Sequence, residues 1–170
     1  MPARSVRSFG AEAVLVELAD RGRVLDQYEA LTRSRLPGVT DIVPAQATVL
    51  VTFDQAVTTA AAVTGWIEGT VPTAREREGG AVVEIGVVYD GADLVEVGAA
   101  TGLTPAEVVA AHSGAVFSVA FCGFAPGFAY LTGLPPELHL PRRSSPRTRV
   151  PAGSVAIADA FSAVYPRSSP

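Results

Sequence analysis

The distribution of prolines limits most strongly what this chain can fold into. Six of its 13 prolines lie within 26 residues, from Pro126 to Pro151. Proline lacks a backbone N–H and disfavours helix in the residue before it, so no long helix is possible here. Apolar runs typical of strands flank this stretch, at residues 116–122 and 154–158. From Gly123 onward we therefore expect loops joined by short strands.

The first half of the chain alternates between strand-like and helix-like patterns. In chain order we predict strands at residues 13–18, 39–43, 47–53 and 81–89 and a loop at 69–80. One helix is predicted to start at Val24 and to be ended by Pro37-Gly38, and a second is predicted at 58–67. This β-(α)-β-β-α-β order predicts a small ferredoxin-like α+β sandwich, although the strand at 81–89 equally fits a following domain. Side chains expected to share one face are Val49, Val51 and Phe53 in one strand, and Phe117, Val119 and Phe121 in the strand at 116–122.

Two short helices are predicted between the halves. Asp93 and Glu96 have the spacing of a capping box at the start of the first, and Gly102 is a typical C-terminal stop. Thr104 and Glu107 have the same spacing at the start of the second helix, which ends near His112.

Composition excludes several classes of function. Apolar residues make up 48% of the 170 residues and charged residues 18%, which excludes a disordered polar chain. The net charge of −4 argues against a nucleic-acid binder. All 13 basic residues are arginine, so a Walker-type loop, a Schiff-base enzyme and a Ser-Lys hydrolase are excluded. One cysteine and two histidines argue against a metal cluster. Without a membrane span or signal peptide in the sequence, we expect a cytoplasmic protein that contacts no membrane.

A glycine- and aromatic-rich segment is the first candidate site. It runs from Gly123 to Leu131 directly after a predicted strand. Glycine permits positive φ and close approach of a ligand to the backbone. The alternative is a tight connection whose aromatic rings fill the core. The candidate ligand-binding residues are Gly123, Phe124, Pro126, Gly127, Phe128 and Tyr130.

An arginine-rich segment is the second candidate site. Arg142, Arg143, Arg147 and Arg149 lie within eight residues of an otherwise acidic chain. Guanidinium groups bind carboxylates or phosphates in bidentate fashion, so an anion site is one interpretation. A solvated loop and a surface for an acidic protein are the others. Immediately afterwards, Pro151, Gly153 and Ser154 are candidates to present backbone N–H groups to an anion, whereas Ser154 lacks the context of a nucleophile.

His112 has two interpretations. At a helix C-terminus the helix dipole favours an imidazolium, and we expect this structural role more than that of a general base. It stays a candidate catalytic residue with Arg142 and Arg147. Cys122 is expected to be a buried, inert thiol, and Asp93 a cap residue.

Several segments of the second half resemble one known family. The matching pieces are Tyr89–Leu94, Gly102–Thr104, His112–Ser113, Gly123–Leu131, Pro141–Arg142, Pro146–Arg147, Val150–Val155 and Tyr165–Pro166. They are similar to allophanate hydrolase subunit 1, also called the B component of 5-oxoprolinase or the KipI-like carboxyltransferase C/D family. The first half matches that family in general layout.

The resemblance implies a two-domain protein and an assembly. It implies a small α+β domain at residues 1–80 and a cyclophilin-like β-barrel domain at 81–170. Family members continue beyond the point matched by Pro170, so the barrel is expected to be truncated, with an open edge. The implied partners are a related second barrel subunit, known as allophanate hydrolase subunit 2 or the C component of 5-oxoprolinase, and a third hydrolase component.

The resemblance also implies a reaction, the ATP-dependent opening of the 5-oxoproline lactam to glutamate. ATP, with magnesium, is expected to be bound by the complex rather than by this chain alone. In this reading the loop arginines bind phosphoryl oxygens, and backbone N–H groups at 123–127 and 153–154 hold an oxyanion. The rings of Phe124, Phe128 and Tyr130 stack on the substrate. The alternatives are a non-enzymatic inhibitor of a histidine kinase and a carboxyltransferase module of a urea-carboxylase-type enzyme.

Overall fold

A computed structural model describes residues 4–72 and 80–169. The chain forms two compact units, residues 1–80 and 81–170. The N-terminal unit contains β1 (Arg4–Ser8), β2 (Ala13–Leu18), α1 (Val24–Arg33), β3 (Val39–Pro44), β4 (Thr48–Phe53) and α2 (Ala60–Gly69). The C-terminal unit contains α3 (Leu94–Thr101), α4 (Pro105–Ser113), β5 (Ser118–Cys122), β6 (Ala129–Thr132), β7 (Val155–Ala158) and β8 (Phe161–Val164).

The N-terminal unit is an antiparallel sheet covered by two helices. Its strand order is β1-β2-β4-β3. As predicted, Val49, Val51 and Phe53 share one face of β4 and are buried. Alternating valines of β2 extend this core, and Leu31 of α1 and Ile67 of α2 close it. Burial of one continuous apolar face is the main stabilisation of such a sheet.

The edge strand of this sheet comes from an unexpected part of the chain. The position beside β2 belongs to β1, which lies before it in sequence, and not to the predicted strand at 81–89. The pattern of β1 does not predict a strand because its sequence, Arg-Ser-Val-Arg-Ser, has a single apolar residue, Val6. A half-exposed edge strand needs no apolar alternation. The Arg4 guanidinium of β1 donates to the side chain of Gln27 and to the carbonyl oxygen of Thr70.

The predicted strand at 81–89 is wrong. These residues have no regular secondary structure, and Val82, Val83, Ile85 and Val88 are exposed. Alternating apolar residues form a strand only where a neighbouring strand accepts their backbone hydrogen bonds. No strand in the described part of the chain does so. The predicted loop at 69–80 lies largely outside the described residues.

The C-terminal unit combines a second antiparallel sheet with two helices. The sheet order is β5-β6-β8-β7. The sequence predicts β5 and β7, whereas β6 and β8 are not predicted. Val119 does not share a face with Phe121, because the register shifts between them; Val119 is 56% exposed. A core around Val108 and Leu138 lies between helices and sheet.

The two helices of this unit differ at their starts. The predicted capping box of Thr104 and Glu107 is confirmed at α4. The one predicted for Asp93 and Glu96 at α3 is wrong, because the Asp93 side chain makes no cap hydrogen bond. It binds arginines instead, as described below. Gly102 is confirmed as the left-handed C-cap of α3, with φ 76°.

None of the described helices is alone long and apolar enough to cross a membrane. In the part of the chain that the structure describes, α3 and α4 taken together meet those criteria of length and composition, with a bend of 92° between them.

Candidate functional site

The glycine- and aromatic-rich segment folds into two consecutive turns. The N–H of Ala125 donates to the carbonyl of Gly123 (2.7 Å), so Phe124 is the centre of a three-residue turn with φ 65°. The N–H of Phe128 then donates to the carbonyl of Ala125 (3.0 Å), with Pro126 and Gly127 at the corner. Gly127 has φ 82°, as the third position of a type II turn requires.

The two phenylalanines of this segment differ in burial. Phe128 is 5% exposed and lies edge-on to Tyr130 and Tyr165, with ring centroids 5.1 and 5.0 Å apart, so it fills the core. Phe124 is 66% exposed and contacts Phe128 and Tyr165 only edge-on. A bulky residue with positive φ is strained, and such strain concentrates at functional sites. Of these two rings, Phe124 is therefore the one that a ligand can reach from solvent.

The backbone amides predicted to hold an oxyanion are mostly occupied. The N–H groups of Gly123 and Ala125 donate within the loop, and Pro126 has none. The N–H of Gly153 donates to the carbonyl of Tyr165 (2.8 Å), and that of Ser154 to the carbonyl of Pro151 (3.3 Å). A paired amide cannot also bind an anion at full strength. The amides of residues 153–154 thus already have acceptors, and the Pro151–Ser154 segment is a turn with Gly153 at φ 81°. Their oxyanion role stays a prediction.

Two of the four loop arginines are bound to carboxylates at the start of α3. The Nη1 atom of Arg143 lies 2.6 Å from Glu96 and 3.3 Å from Asp93. Arg147 binds the same Asp93 carboxylate through two nitrogens, with Nε at 3.2 Å from Oδ2. The carboxylates raise the pKa of Arg143, which stays charged. The helix start thus uses Asp93 and Glu96 to hold the loop, not as caps.

The other two loop arginines differ from these. Arg149 donates to the hydroxyl of Ser168 (3.0 Å) and forms no ion pair with the described residues. Arg142 is exposed and has neither a hydrogen bond nor an ion pair within residues 4–72 and 80–169. Of the four, Arg142 is the one whose donors are not taken up by any described residue.

His112 lies in a buried network of hydroxyl groups. Its side chain is 9% exposed, at the end of α4. Its Nδ1 lies 2.8 Å from the hydroxyl of Tyr89, and its Nε2 lies 3.0 Å from the hydroxyl of Ser162 in β8. The ring also packs against Phe117. Burial lowers the pKa of His112 below its usual 6.5, so the imidazolium expected from the helix dipole is not the favoured form.

Tyr89 and Ser162 are the functional candidates that sequence reasoning missed. Neither belongs to a motif with a hydroxyl at functional spacing, and Ser162 is 50 residues from His112. Burial raises the pKa of Tyr89, which keeps its proton.

The second histidine and the cysteine lie apart from this network. His139 hydrogen bonds through Nε2 to the carbonyl of Leu134 (2.9 Å). Cys122 is exposed, so the expectation of a buried thiol is wrong.

The sheet separates the aromatic cluster from His112. Phe161 of β8 contacts Phe121 and Tyr130, whereas the next residue, Ser162, contacts His112. Adjacent residues of a strand point to opposite faces. The aromatic residues are thus brought together on one face, and α3, α4 and His112 lie on the other. Among the described residues, no ring contact joins the candidate catalytic residue His112 to the aromatic candidates.

The described residues contain no group of three or more His, Cys, Asp or Glu side chains arranged to hold a metal ion.

Comparison with known families places the chain among carboxyltransferase domains. The chain belongs to the family of carboxyltransferase domains, subdomain C and D, which it matches over residues 4–170. Among curated proteins it is similar to the B component of 5-oxoprolinase from Escherichia coli O157:H7, with 50% identity over 91 residues. It is 46% identical over 92 residues to the corresponding protein of Bacillus subtilis strain 168. These matches cover 52% of this chain, but 42% and 38% of the two relatives, so the chain spans less than half of their length.

Solved structures show the same fold. The crystal structure of TTHA0988 has a TM-score of 0.75 and 34% identity, and the match covers 97% of this chain and 33% of that one. The Kluyveromyces lactis urea amidolyase has a TM-score of 0.73 at 14% identity, over 98% of this chain and 12% of that enzyme. The second likeness shows the fold alone. The predicted α+β fold class and the family resemblance are confirmed.

Proposed function

We propose that this chain is part of a B component of 5-oxoprolinase, one member of a hydrolase complex that opens the lactam of 5-oxoproline. The observation that carries this proposal is the 46–50% identity to proteins of that name from three bacteria. The names of these relatives describe one subunit of an enzyme, which supports a multi-component system. We further propose that its partners are a second, related barrel subunit and a third hydrolase component, and that the complex acts in the cytoplasm.

The chain offers two groups suited to such a substrate. 5-Oxoproline carries a carboxylate and a small flat ring. The guanidinium of Arg142, which no described carboxylate binds, is suited to the substrate carboxylate, and the exposed ring of Phe124 is suited to stacking on the lactam. Arg143 and Arg147 are already bound to Asp93 and Glu96, which makes Arg142 the stronger candidate. The described residues hold no complete site around these groups, and we propose that the partner subunit completes it.

The described residues do not fit an ATP site. A triphosphate needs several positive groups and free backbone amides. The chain has no lysine, two loop arginines are bound to carboxylates, and the amides of Gly153 and Ser154 are occupied. We therefore propose that any ATP and magnesium are bound by other parts of the complex, and we derive no step through them.

The test is ATP-dependent conversion of 5-oxoproline to glutamate. The protein at its natural length is purified together with both proposed partners, and glutamate and ADP are measured with and without this subunit. Glutamate formation that requires this subunit is the expected result. Arg142→Ala is expected to raise the KM for 5-oxoproline, with Arg167→Ala as the control for loss of an exposed arginine. A stable complex that forms no glutamate contradicts the proposal.

A second candidate is favoured by the family description itself. Carboxyltransferase domains move a carboxyl group between carriers, and the K. lactis urea amidolyase shares the fold. Under this alternative, the same purified complex carboxylates an acceptor from carboxybiotin and leaves 5-oxoproline unchanged.

A further inference from the structure

The hydrogen bonds around His112 indicate one arrangement of protons in the network. The carbonyl of Ala156 only accepts, and it lies 3.3 Å from the hydroxyl of Ser162, so Ser162 donates to it. The Ser162 oxygen then accepts from Nε2–H of His112. This leaves Nδ1 with a lone pair, which accepts from the hydroxyl of Tyr89. The ring is a neutral imidazole with its proton on Nε2.

The network is buried at Ser162 and accessible to solvent at Tyr89. Ser162 is 2% exposed and His112 is 9% exposed, whereas Tyr89 is half-buried. The proton of Tyr89 is committed to His112, so its oxygen has lone pairs free for a donor from outside. A ligand N–H or O–H group is the chemistry that fits this end. The lactam N–H of 5-oxoproline and an attacking water both supply such a group.

We propose that Tyr89, His112 and Ser162 form a proton relay, in which Tyr89 touches the substrate and His112 acts as general base through it. This inference rests on the proposed function. A ligand X–H gives its proton to the Tyr89 oxygen, and the hydroxyl proton of Tyr89 moves to Nδ1 of His112. The X–H electron pair stays on X, which becomes the nucleophile or anion, and His112 becomes an imidazolium. The reverse transfers restore the starting state.

The surroundings of His112 suit a base that is neutral at rest. The groups packed against it are Tyr89 from segment 80–90, Phe117 beyond α4, and Ser162 of β8. No charged side chain among the described residues forms an ion pair with it. Burial lowers its pKa, so Nδ1 keeps its lone pair at neutral pH. Ser162 is a positioning residue, since it holds the ring in the tautomer that directs Nδ1 to Tyr89.

Tyr89→Phe is the central test in the natural-length complex. It keeps the ring, which packs edge-on to His112 at 5.8 Å, and removes only the hydroxyl. Loss of a general base relay lowers kcat by about 100-fold or more, with little change in KM. The decrease of kcat at low pH (the acid limb of the pH profile), which protonation of His112 causes, is expected to disappear in this variant as well. Tyr28→Phe in the N-terminal unit is the matched control and keeps wild-type turnover. Tyr89→Phe with turnover within about threefold of wild type overturns the relay.

Two variants of Ser162 distinguish a positioning role of its hydroxyl from a role in packing alone. Ser162→Ala is expected to lower kcat and move the acid limb, while Ser162→Thr, which restores a hydroxyl, recovers both. Equal loss in both variants, with equal loss of stability, indicates a packing role and contradicts the proposal.

The tautomer of His112 gives a readout that does not depend on turnover. Nitrogen-15 NMR of the labelled protein is expected to show a proton on Nε2 and an unprotonated Nδ1 at pH 7. A proton on Nδ1 overturns the relay, whatever the complex does. A wild-type complex without glutamate formation contradicts the proposed function. An active complex unaffected by Tyr89→Phe contradicts the relay alone.

Discussion

Arg147 binds both oxygens of the Asp93 carboxylate and so ties the proline-rich loop to the start of α3. We expect Asp93→Asn to lower the free energy of unfolding by about 1 kcal/mol or less, because the pair is exposed to solvent. The effect on the restraint of the loop is expected to be larger than the effect on the free energy of unfolding. Trypsin is expected to cleave after the loop arginines several times faster in this variant, which limited digestion with mass spectrometry measures.

The control for this prediction is Glu137→Gln. Glu137 is an exposed carboxylate that forms no ion pair with the described residues. Its loss is expected to leave the cleavage rate unchanged. If Asp93→Asn digests at the wild-type rate as well, the ion pair does not restrain the loop.

Gly98 and Gly65 form a matched pair of helical glycines. A Cβ at Gly98 would lie 2.6 Å from the carbonyl oxygen of Leu103, while a Cβ at Gly65 of α2 would meet nothing within 4 Å. We expect Gly98→Ala to destabilise the C-terminal unit by about 1–3 kcal/mol through overpacking. Gly65→Ala is expected to stabilise the N-terminal unit by about 0.5–1 kcal/mol, because alanine favours helix.

Urea unfolding measures both effects. Trp66, the only tryptophan of the chain, reports on the N-terminal unit by fluorescence, and circular dichroism reports on the whole chain. A Gly98→Ala protein as stable as wild type would show that α3 and the Leu103 turn can separate without cost.

The stability of the C-terminal unit is expected to depend on pH through His112. Burial lowers its pKa in the folded state, so below pH 6.5 the unfolded chain binds a proton that the folded chain does not. Stability is therefore complete above pH 6.5 and decreases as the pH falls from there towards the lower folded-state pKa. Thermal unfolding between about pH 7.5 and 5.5 is expected to show a smaller slope in His112→Asn than in wild type.

His139→Gln is the control for removal of a histidine. The comparison uses slopes, because His112→Asn also lowers the absolute stability by breaking the network. Equal slopes in wild type and His112→Asn would mean that protonation of His112 is not linked to unfolding.

Truncation of Phe124 is expected to lower turnover, whereas truncation of Phe128 is expected to lower stability. Phe124→Gly removes the backbone strain of a positive φ, which is about 1–3 kcal/mol. This gain offsets the loss of edge-on ring contacts, which are worth about 0.5–1.5 kcal/mol. Its stability is expected to stay within about 1 kcal/mol of wild type, while turnover of the complex falls. Phe128→Ala leaves a cavity and costs about 3–5 kcal/mol. Denaturant unfolding and the glutamate assay distinguish the two. Loss of more than about 2 kcal/mol in Phe124→Gly would show that its ring serves the fold.

The parts of the fold that could be predicted are those in which the local pattern and the tertiary contacts agree. The strand at 13–18 has the predicted bounds, and the Thr104–Glu107 box forms as expected. β1 could not be predicted, because an edge strand is defined by its neighbour and not by its own apolar content. The segment 81–89 shows the converse: it has the alternation of a strand and lacks a neighbour among the described strands.

The candidate site was predictable in its residue types but not in its arrangement. The glycines of the two loop motifs are explained by turns with positive φ, at Gly127 and Gly153. That Asp93 would bind Arg147 and not its own helix depends on a loop 54 residues away. Tyr89 and Ser162 become visible only when the fold places them on either side of His112.

The place of β1 has a consequence for synthesis on the ribosome. All four strands of the N-terminal sheet lie within residues 4–53, and its last helix ends at Gly69. Because β1 and not a later segment borders β2, this sheet needs no residue from the C-terminal unit. The emerging chain can therefore assemble its first hydrophobic core while the arginine loop and the strands β5–β8 are still being translated.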